Sequence, residues 1–483
     1  MSSENGNINR EEPSGDNGRG RISGSDKGAH DRPTPGAGKK ANSGESPAPA
    51  KEELLVGRTD MKLPPLRSDI EMIPVTHDGS ELIYFHDPQG YLPGPIALDR
   101  QIAALIPMLN GQFSVQDICN DLKRYGSDVD EEHLLAFVRQ LDESRLLLSP
   151  WFSHCKTEIE ENFEREDVRP AVCAGSSYPS TEKEIREMLD AAFASNGSSG
   201  NPENGDAQAS ASEQEPAGAI KALYAPHIDL RVGLASYVPA FRPLRDLKPS
   251  RVVLLATSHY AGSYYPLYDG KPFIATRKSF ETPLGTIPAD HETLRLLEKH
   301  AEAAGCSFSD RAHRNEHSIE LHLLFLQYLW QHSFSLVPVL VGSLEELYYM
   351  EDGDTGKKVE AMASLLRERF ADDPDTLFVI SGDLCHVGSK FGDDVPASEM
   401  FDHIRSFDRE FLGHTVAASS HDLLRQMKKD QDPFRICGFP PLYTALKSLC
   451  GVKGKVTSYD LWDERERESA VTFGSVLFRE LPR

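Results

Sequence analysis

Leu377-Phe378-Val379-Ile380-Ser381-Gly382-Asp383-Leu384-Cys385-His386 is an apolar run that turns polar at its carboxyl end. Three other stretches have the same texture. Ala222-Leu223-Tyr224-Ala225 runs into Pro226-His227-Ile228-Asp229, Val252-Val253-Leu254-Leu255-Ala256 runs into Thr257-Ser258-His259, and the run 334–341 ends at Gly342. Short continuous apolar runs separated by helical segments describe an α/β fold with a mainly parallel central sheet covered on both faces. In such sheets the ligand crevice opens at the carboxyl ends of the strands. His227, His259 and His386 lie just beyond three of those ends, and Asp383 precedes His386 by three residues. A shared site assembled from separate strands is the expectation, suited to a metal ion or to acid–base chemistry.

Outward from these runs, Arg314-Asn315-Glu316-His317-Ser318-Ile319-Glu320 leads into the apolar stretch 321–330, which reads as a buried helix. Two readings of its first turn stay open. Asn315 or Ser318 can cap free N–H groups while Glu316 complements the helix dipole, or His317 and Glu320 can point into the crevice. Cys437, in Ile436-Cys437-Gly438-Phe439-Pro440-Pro441, has a thiol that spacing alone assigns to a small buried hydrophobe sooner than to a ligand.

The rest of the chain divides by composition. Residues 1–60 are rich in Gly, Ser, Asn, Pro and charge and read as a disordered tail. A similar stretch, 195–218, reads as a disordered loop insertion within a large domain over 168–483, following a helix over 180–193. Between them, 66–150 shows short strands around the His77-Asp78-Gly79 turn, then helices expected over 99–109, over 115–122 with Ser114 as cap, and over 130–148. This order resembles the small winged-helix domains of the PqqD-like type, which bind leader or substrate peptides. A packing domain and a peptide-binding module are both consistent with it.

Composition sets limits on function. Lys and Arg number 52 against 75 Asp and Glu, a net charge of −23. The charges nearly cancel within 1–60, so the excess lies on the folded parts and argues against nucleic acid and anionic membranes. Seven cysteines with no C-x-x-C speak against a zinc ribbon, an iron–sulfur run and a disulfide scaffold. No apolar stretch approaches the roughly 20 residues of a membrane span, and no secretory h-region opens the chain. A cytoplasmic location is the expectation, consistent with an odd cysteine count. There is no G-x-S-x-G elbow for a serine hydrolase.

Taken in order, Ala174-Gly175-Ser176-Ser177-Tyr178-Pro179, Ala225-Pro226-His227, Thr257-Ser258-His259, Phe280-Glu281-Thr282-Pro283-Leu284-Gly285, Glu316-His317-Ser318-Ile319-Glu320, the 381–386 segment and Cys437-Gly438 strongly resemble the Memo family, also called AmmeMemoRadiSam system protein B. The resemblance spans nearly all of the large domain. It implies a fold similar to class III extradiol dioxygenases and a metal held by His227, His259 and Cys437. Asp383 and His386 match the Asp and His beside the family's pocket, and His317 joins them as a proton-handling group. Two imidazoles and a thiolate suit Fe(II) or Cu, with Zn also possible. Asp383 or Asp229 is expected to orient an imidazole, and Asp229 offers a further carboxylate for metal. Ser177, the Ile228-Asp229-Leu230 segment and Tyr260 depart from the family pattern along the pocket. Two functions follow from the resemblance. One is a metal-dependent redox enzyme. The other is a non-catalytic module whose PqqD-like domain recruits a peptide or protein partner, such as a radical SAM or AMMECR-type protein. The chain has no C-x-x-x-C-x-x-C of its own.

Overall fold

The computed structural model describes residues 50–127, 129–195 and 218–482. The 1–60 stretch lies outside the described residues as far as 49. From there Lys51–Leu54 forms a helical turn and Leu55 is buried. The 195–218 insertion also lies outside them, apart from its two end residues.

Residues ahead of 150 build an antiparallel sheet in the order β1 (Glu71–His77), β2 (Ser80–His86), β3 (Ile96–Asp99). Asp78 and Gly79 join β1 to β2 with φ of 48° and 79°, the paired positive values that match strand twist in a two-residue hairpin. The helix expected over 99–109 is broken. Arg100–Ala103 is helical and Ile106–Met108 is a separate 3-10 turn. Pro107 is the cause, because it has no N–H to donate and its ring obstructs the preceding helical turn. Ser114 caps Val115–Arg124 as expected, in a reciprocal capping box with Asp117. The third helix, Glu131–Glu143, is shorter than its sequence pattern, and Arg145 just beyond it takes a φ of 63°. Phe85, Ile106, Val115, Ile118, Leu134 and Val138 give this part its own core. The helix Pro150–Arg165, which the sequence reading does not include, leads into the part that carries the large sheet.

There the strands are β4 (Val168–Arg169), β5 (Ile220–Ala225), β6 (Arg251–Thr257), β7 (Phe273–Ala275), β8 (Ser279–Thr282), β9 (Gly285–Ile287), β10 (Cys306–Ser307), β11 (Ser335–Val341), β12 (Thr376–Ser381), β13 (His386–Gly388), β14 (Val452–Glu464) and β15 (Ser469–Glu480). The four apolar runs are β5, β6, β11 and β12. They lie side by side as β11-β6-β12-β5, and every pair is parallel. Antiparallel strands extend both flanks: β7 pairs with β11, and β15 pairs with β5, β13 and β14. The long β14–β15 hairpin is absent from the sequence reading.

The central strands are buried on both faces because their side chains alternate between two cores. Val253 and Leu255 of β6 join one core with the helices Asp354–Phe370, Phe401–Val416 and Phe439–Ser448. Val252, Leu254 and Ala256 join the other with Glu182–Ala194, Leu230–Phe241 and His317–Leu329. Among the described residues no helix is long and apolar enough to cross a membrane.

One buried ion pair ties β4 to the His317–Leu329 helix. Arg169 and Glu320 are both fully buried and in direct contact. The Glu320 carboxylate also accepts the N–H groups of Val172 (3.0 Å) and Cys173 (2.9 Å) and the Tyr178 hydroxyl. Arg169 donates in addition to the carbonyls of His313 (3.1 Å), Pro170 (3.0 Å) and Glu316. Leaving one member of such a pair alone strands a charge in a dry interior. Glu320→Ala is therefore expected to cost about 3–5 kcal/mol of stability in denaturant unfolding. A loss below about 1 kcal/mol, typical of an exposed pair, would contradict this role.

Candidate metal centre

The ends of β5 and β12 are neighbours, with Ala225 opposite Ser381. Beyond them the chain turns out of the sheet, and freed backbone groups need partners. Asp383 supplies one: its Oδ1 accepts the N–H of His227 (2.9 Å) and of Ile228 (3.2 Å). His227 Nδ1 lies 3.0 Å from Ser381 Oγ, and that hydroxyl donates to the Ser318 carbonyl at 2.6 Å. Since the Ser381 proton is committed, the network assigns the imidazole proton to Nδ1 and leaves Nε2 a free lone pair.

His259, just past the end of β6, is fixed by Glu316. One carboxylate oxygen accepts the His259 backbone N–H (2.8 Å) and the other lies 2.8 Å from Nδ1. A carboxylate only accepts, so Nδ1 again carries the proton and Nε2 is presented. This carboxylate–imidazole pairing is the arrangement that orients metal-binding histidines and raises their basicity. Glu316 also accepts the Ser318 N–H (3.2 Å) and so caps the helix. The cap is therefore Glu316 itself, in place of the expected Asn315 or Ser318.

Cys437 arrives from the opposite side through a contact of two glycines. A Cβ on Gly382 would meet Gly438 Cα at 2.1 Å, and one on Gly438 would meet the Asp383 carbonyl at 2.7 Å. Only glycine at both positions lets the loop press against the end of β12. The Cys437 carbonyl accepts from Thr257 Oγ1 (2.7 Å), and the thiol stands 3.3 Å from His227 Nε2 and 3.3 Å from the Asp383 nitrogen.

Three imidazoles converge, with ring centroids 4.9 Å (His227–His259), 5.2 Å (His227–His317) and 4.7 Å (His259–His317) apart. Two sets of ligand-type atoms lie within 4.8 Å of one another: His227 with His259 and His317, and His227 with Asp383 and Cys437. His227 belongs to both and is buried, whereas the side chains of His259 and His317 are 30% and 33% exposed. The cluster thus has a closed floor and an open mouth. Ligands held about 2.0–2.3 Å from one ion stand roughly 3–4 Å apart, which the 3.3 Å between His227 Nε2 and Cys437 Sγ matches. The donors fit a borderline-soft ion.

Burial governs the electrostatics. It holds His227 well below the usual imidazole range, and pushes the Cys437 thiol and the Asp383 carboxyl up, the latter to about 7. His259 runs the other way: burial opposes its charge, but Glu316 and Cys437 raise it well above the usual range. Glu316 is correspondingly held down to about 2 against its own burial.

Other expected groups stand elsewhere. Glu320 does not point into the crevice, because the buried Arg169 claims it. Asp229 belongs to neither ligand set. It caps Leu230–Phe241 through the Arg231 N–H (2.8 Å), pairs with the Arg231 guanidinium (2.7 Å) and accepts from Ser177 Oγ (3.0 Å). His386 lies outside both ligand sets. Its Nδ1–H is shared by the carbonyls of Leu384 (3.0 Å) and Arg435 (3.1 Å), and its ring rests against Phe391. Two groups missing from the expected set, Glu316 and Ser381, hold the imidazoles. Their signal was adjacency, since each sits within a motif already quoted.

A model of the Memo-like protein family matches residues 169–477, the region that contains every one of these groups. The chain belongs to the Memo-like family. It is 26% identical over 396 residues to a MEMO1 family protein of Aquifex aeolicus, covering 81% of this chain and 94% of that one. This span is longer than the stretch from 169 to the last residue, so the likeness extends ahead of the Memo-like region. A MEMO1 family protein of Thermus thermophilus is 28% identical over 356 residues (74% of this chain, 95% of that one). Protein MEMO1 of Danio rerio is 28% identical over 246 residues, 50% of this chain and 76% of that one.

Replacing Glu316 by Gln keeps a side chain of the same size and removes the charge behind His259. Zinc affinity, measured by competition with a chromogenic chelator, is expected to fall by about 10–100-fold. Unchanged affinity would mean that His259 is not a ligand.

Proposed function

We propose that this Memo-family protein is a metal-dependent redox protein with a site resembling that of class III extradiol dioxygenases. In this reading His227, His259 and Cys437 hold Fe(II) or Cu, with Zn as a further candidate. The observation that carries it is the approach of the Cys437 thiol to 3.3 Å from a His227 Nε2 whose other nitrogen is already engaged. A redox-active ion at these donors would supply electron exchange with a substrate entering from the open side.

The chain's own residues have separable tasks. Ser381 and Glu316 fix the two imidazoles, and Asp383 aligns the backbone that carries His227. His317, stacked on His259 and partly exposed, is placed to hold or pass a proton at the mouth. His386, with Nδ1 occupied, has only its Nε2 edge for that purpose. Metal analysis of the purified protein is expected to give about one ion per chain, lost in both His227→Ala and Cys437→Ala. Stoichiometric metal retained in both variants would reject this ligand assignment.

A second reading, partner recruitment, is favoured by the part ahead of residue 150. It has its own core, and β1 and β3 each pair only with β2 among the described residues, so each leaves an open edge. Such edges accept an added strand. The PqqD-like resemblance would make the occupant a peptide, or a segment of a radical SAM or AMMECR-type protein. Titration of the full chain with a purified partner of either type is expected to show saturable binding. Absence of binding to both would remove this reading.

A further inference from the structure

The loop 87–91 of the small domain is built as a rigid piece. The Asp87 carboxylate accepts the N–H groups of Gln89 (3.0 Å), Tyr91 (2.8 Å) and Leu92 (2.9 Å), and both terminal nitrogens of Arg67 (3.0 Å each). Tyr91 is 1% exposed, and its hydroxyl donates to Glu160 at 2.6 Å.

Against this piece lies the short path that delivers the metal-site groups. A 3-10 turn ends at His313 and the next helix begins at His317, so residues 314–316 have no regular structure to fix them. Contacts from outside do so. The Arg314 guanidinium lies 4.5 Å from the Tyr91 ring centroid and donates to the carbonyls of Gln89 and Gly90, the latter at 3.4 Å. Asn315 Nδ2 donates to the Pro88 carbonyl at 3.4 Å. Gly90 has a φ of 64°, and a Cβ there would meet Asn315 Nδ2 at 2.4 Å, so the two surfaces are in close contact. The next residue, Glu316, holds His259, and the one after it is His317.

We infer that the loop 87–91 is a positioning element for the metal site: it fixes the 314–316 path, and through it the placement of Glu316, His259 and His317. The small domain is then a part of the site's scaffold, and a ligand that displaced its loop would be registered at the imidazoles. Its consequence for metal binding rests on the reading given under Proposed function, whereas the placement of the imidazoles does not.

The test uses the full chain. Tyr91→Ala and Asp87→Ala loosen the loop without touching any candidate ligand. Tyr91→Phe keeps the ring under Arg314, and Val138→Ala weakens the small-domain core away from the joint. Imidazole ¹⁵N signals of His259 and His317 are recorded in metal-free protein, and zinc affinity is measured separately. Both loosening variants are expected to shift the two imidazole signals and to weaken zinc by about tenfold, with Tyr91→Phe restoring both and Val138→Ala leaving both in place. Wild-type signals and affinity in folded Tyr91→Ala and Asp87→Ala would overturn the inference, as would equal shifts in Val138→Ala. If Tyr91→Ala does not fold, Asn315→Ala removes one contact of the joint and is read in the same way. If the wild-type chain takes up none of zinc, Fe(II) and Cu, the metal reading fails and the imidazole signals alone decide this inference.

Discussion

The carboxyl edge of the parallel sheet is the constraint from which the site follows. β5, β6 and β12 end side by side in a dry interior, and the backbone beyond each end carries N–H groups and carbonyls that need partners. The side chains that answer this need also determine where the imidazoles and the thiol stand. Asp383 satisfies the turn after β5, Glu316 satisfies the turn after β6, and Thr257 and Ser381 tie the Cys437 loop and the His317–Leu329 helix to the strand ends. Removing any one of them would expose a backbone group and misplace a donor together.

The same economy operates one layer out. Arg169 has no exposure, so its charge must be met internally, and Glu320 meets it. Because Arg169 also donates to the carbonyls of His313 and Glu316, the pair holds the segment leading to the site from below. Loop 87–91 holds it from above through Arg314 and Asn315. A segment with no regular structure is thereby held between two fixed bodies.

Much of this was legible in the sequence, for physical reasons that differ by element. The four central strands are buried on both faces, so their apolar runs are continuous and easy to recognise. His227, His259 and Cys437 sit next to strand ends or a Gly, and the structure places them in two sets that share His227, His259 with His317 in one and Cys437 with Asp383 in the other. The β14–β15 hairpin was not legible: β14 is intermediate in burial along much of its length and has no clean apolar run. Glu320 and Asp229, which the sequence left open as crevice groups, are engaged elsewhere for another reason. A carboxylate near a site looks like a ligand until its counterion is known, and Arg169, about 150 residues away in sequence, could be paired with Glu320 only by the fold. The helix expected over 99–109 failed where periodicity outweighed a proline.

The proposed site has two imidazoles and the Cys437 thiolate holding one ion. X-ray absorption at the zinc edge of the zinc-loaded chain tests it most directly. The expected spectrum has one sulfur at about 2.3 Å together with imidazole nitrogens at about 2.0–2.1 Å, and it loses the sulfur shell in Cys437→Ser. A wild-type spectrum fitted by nitrogen and oxygen alone would contradict it.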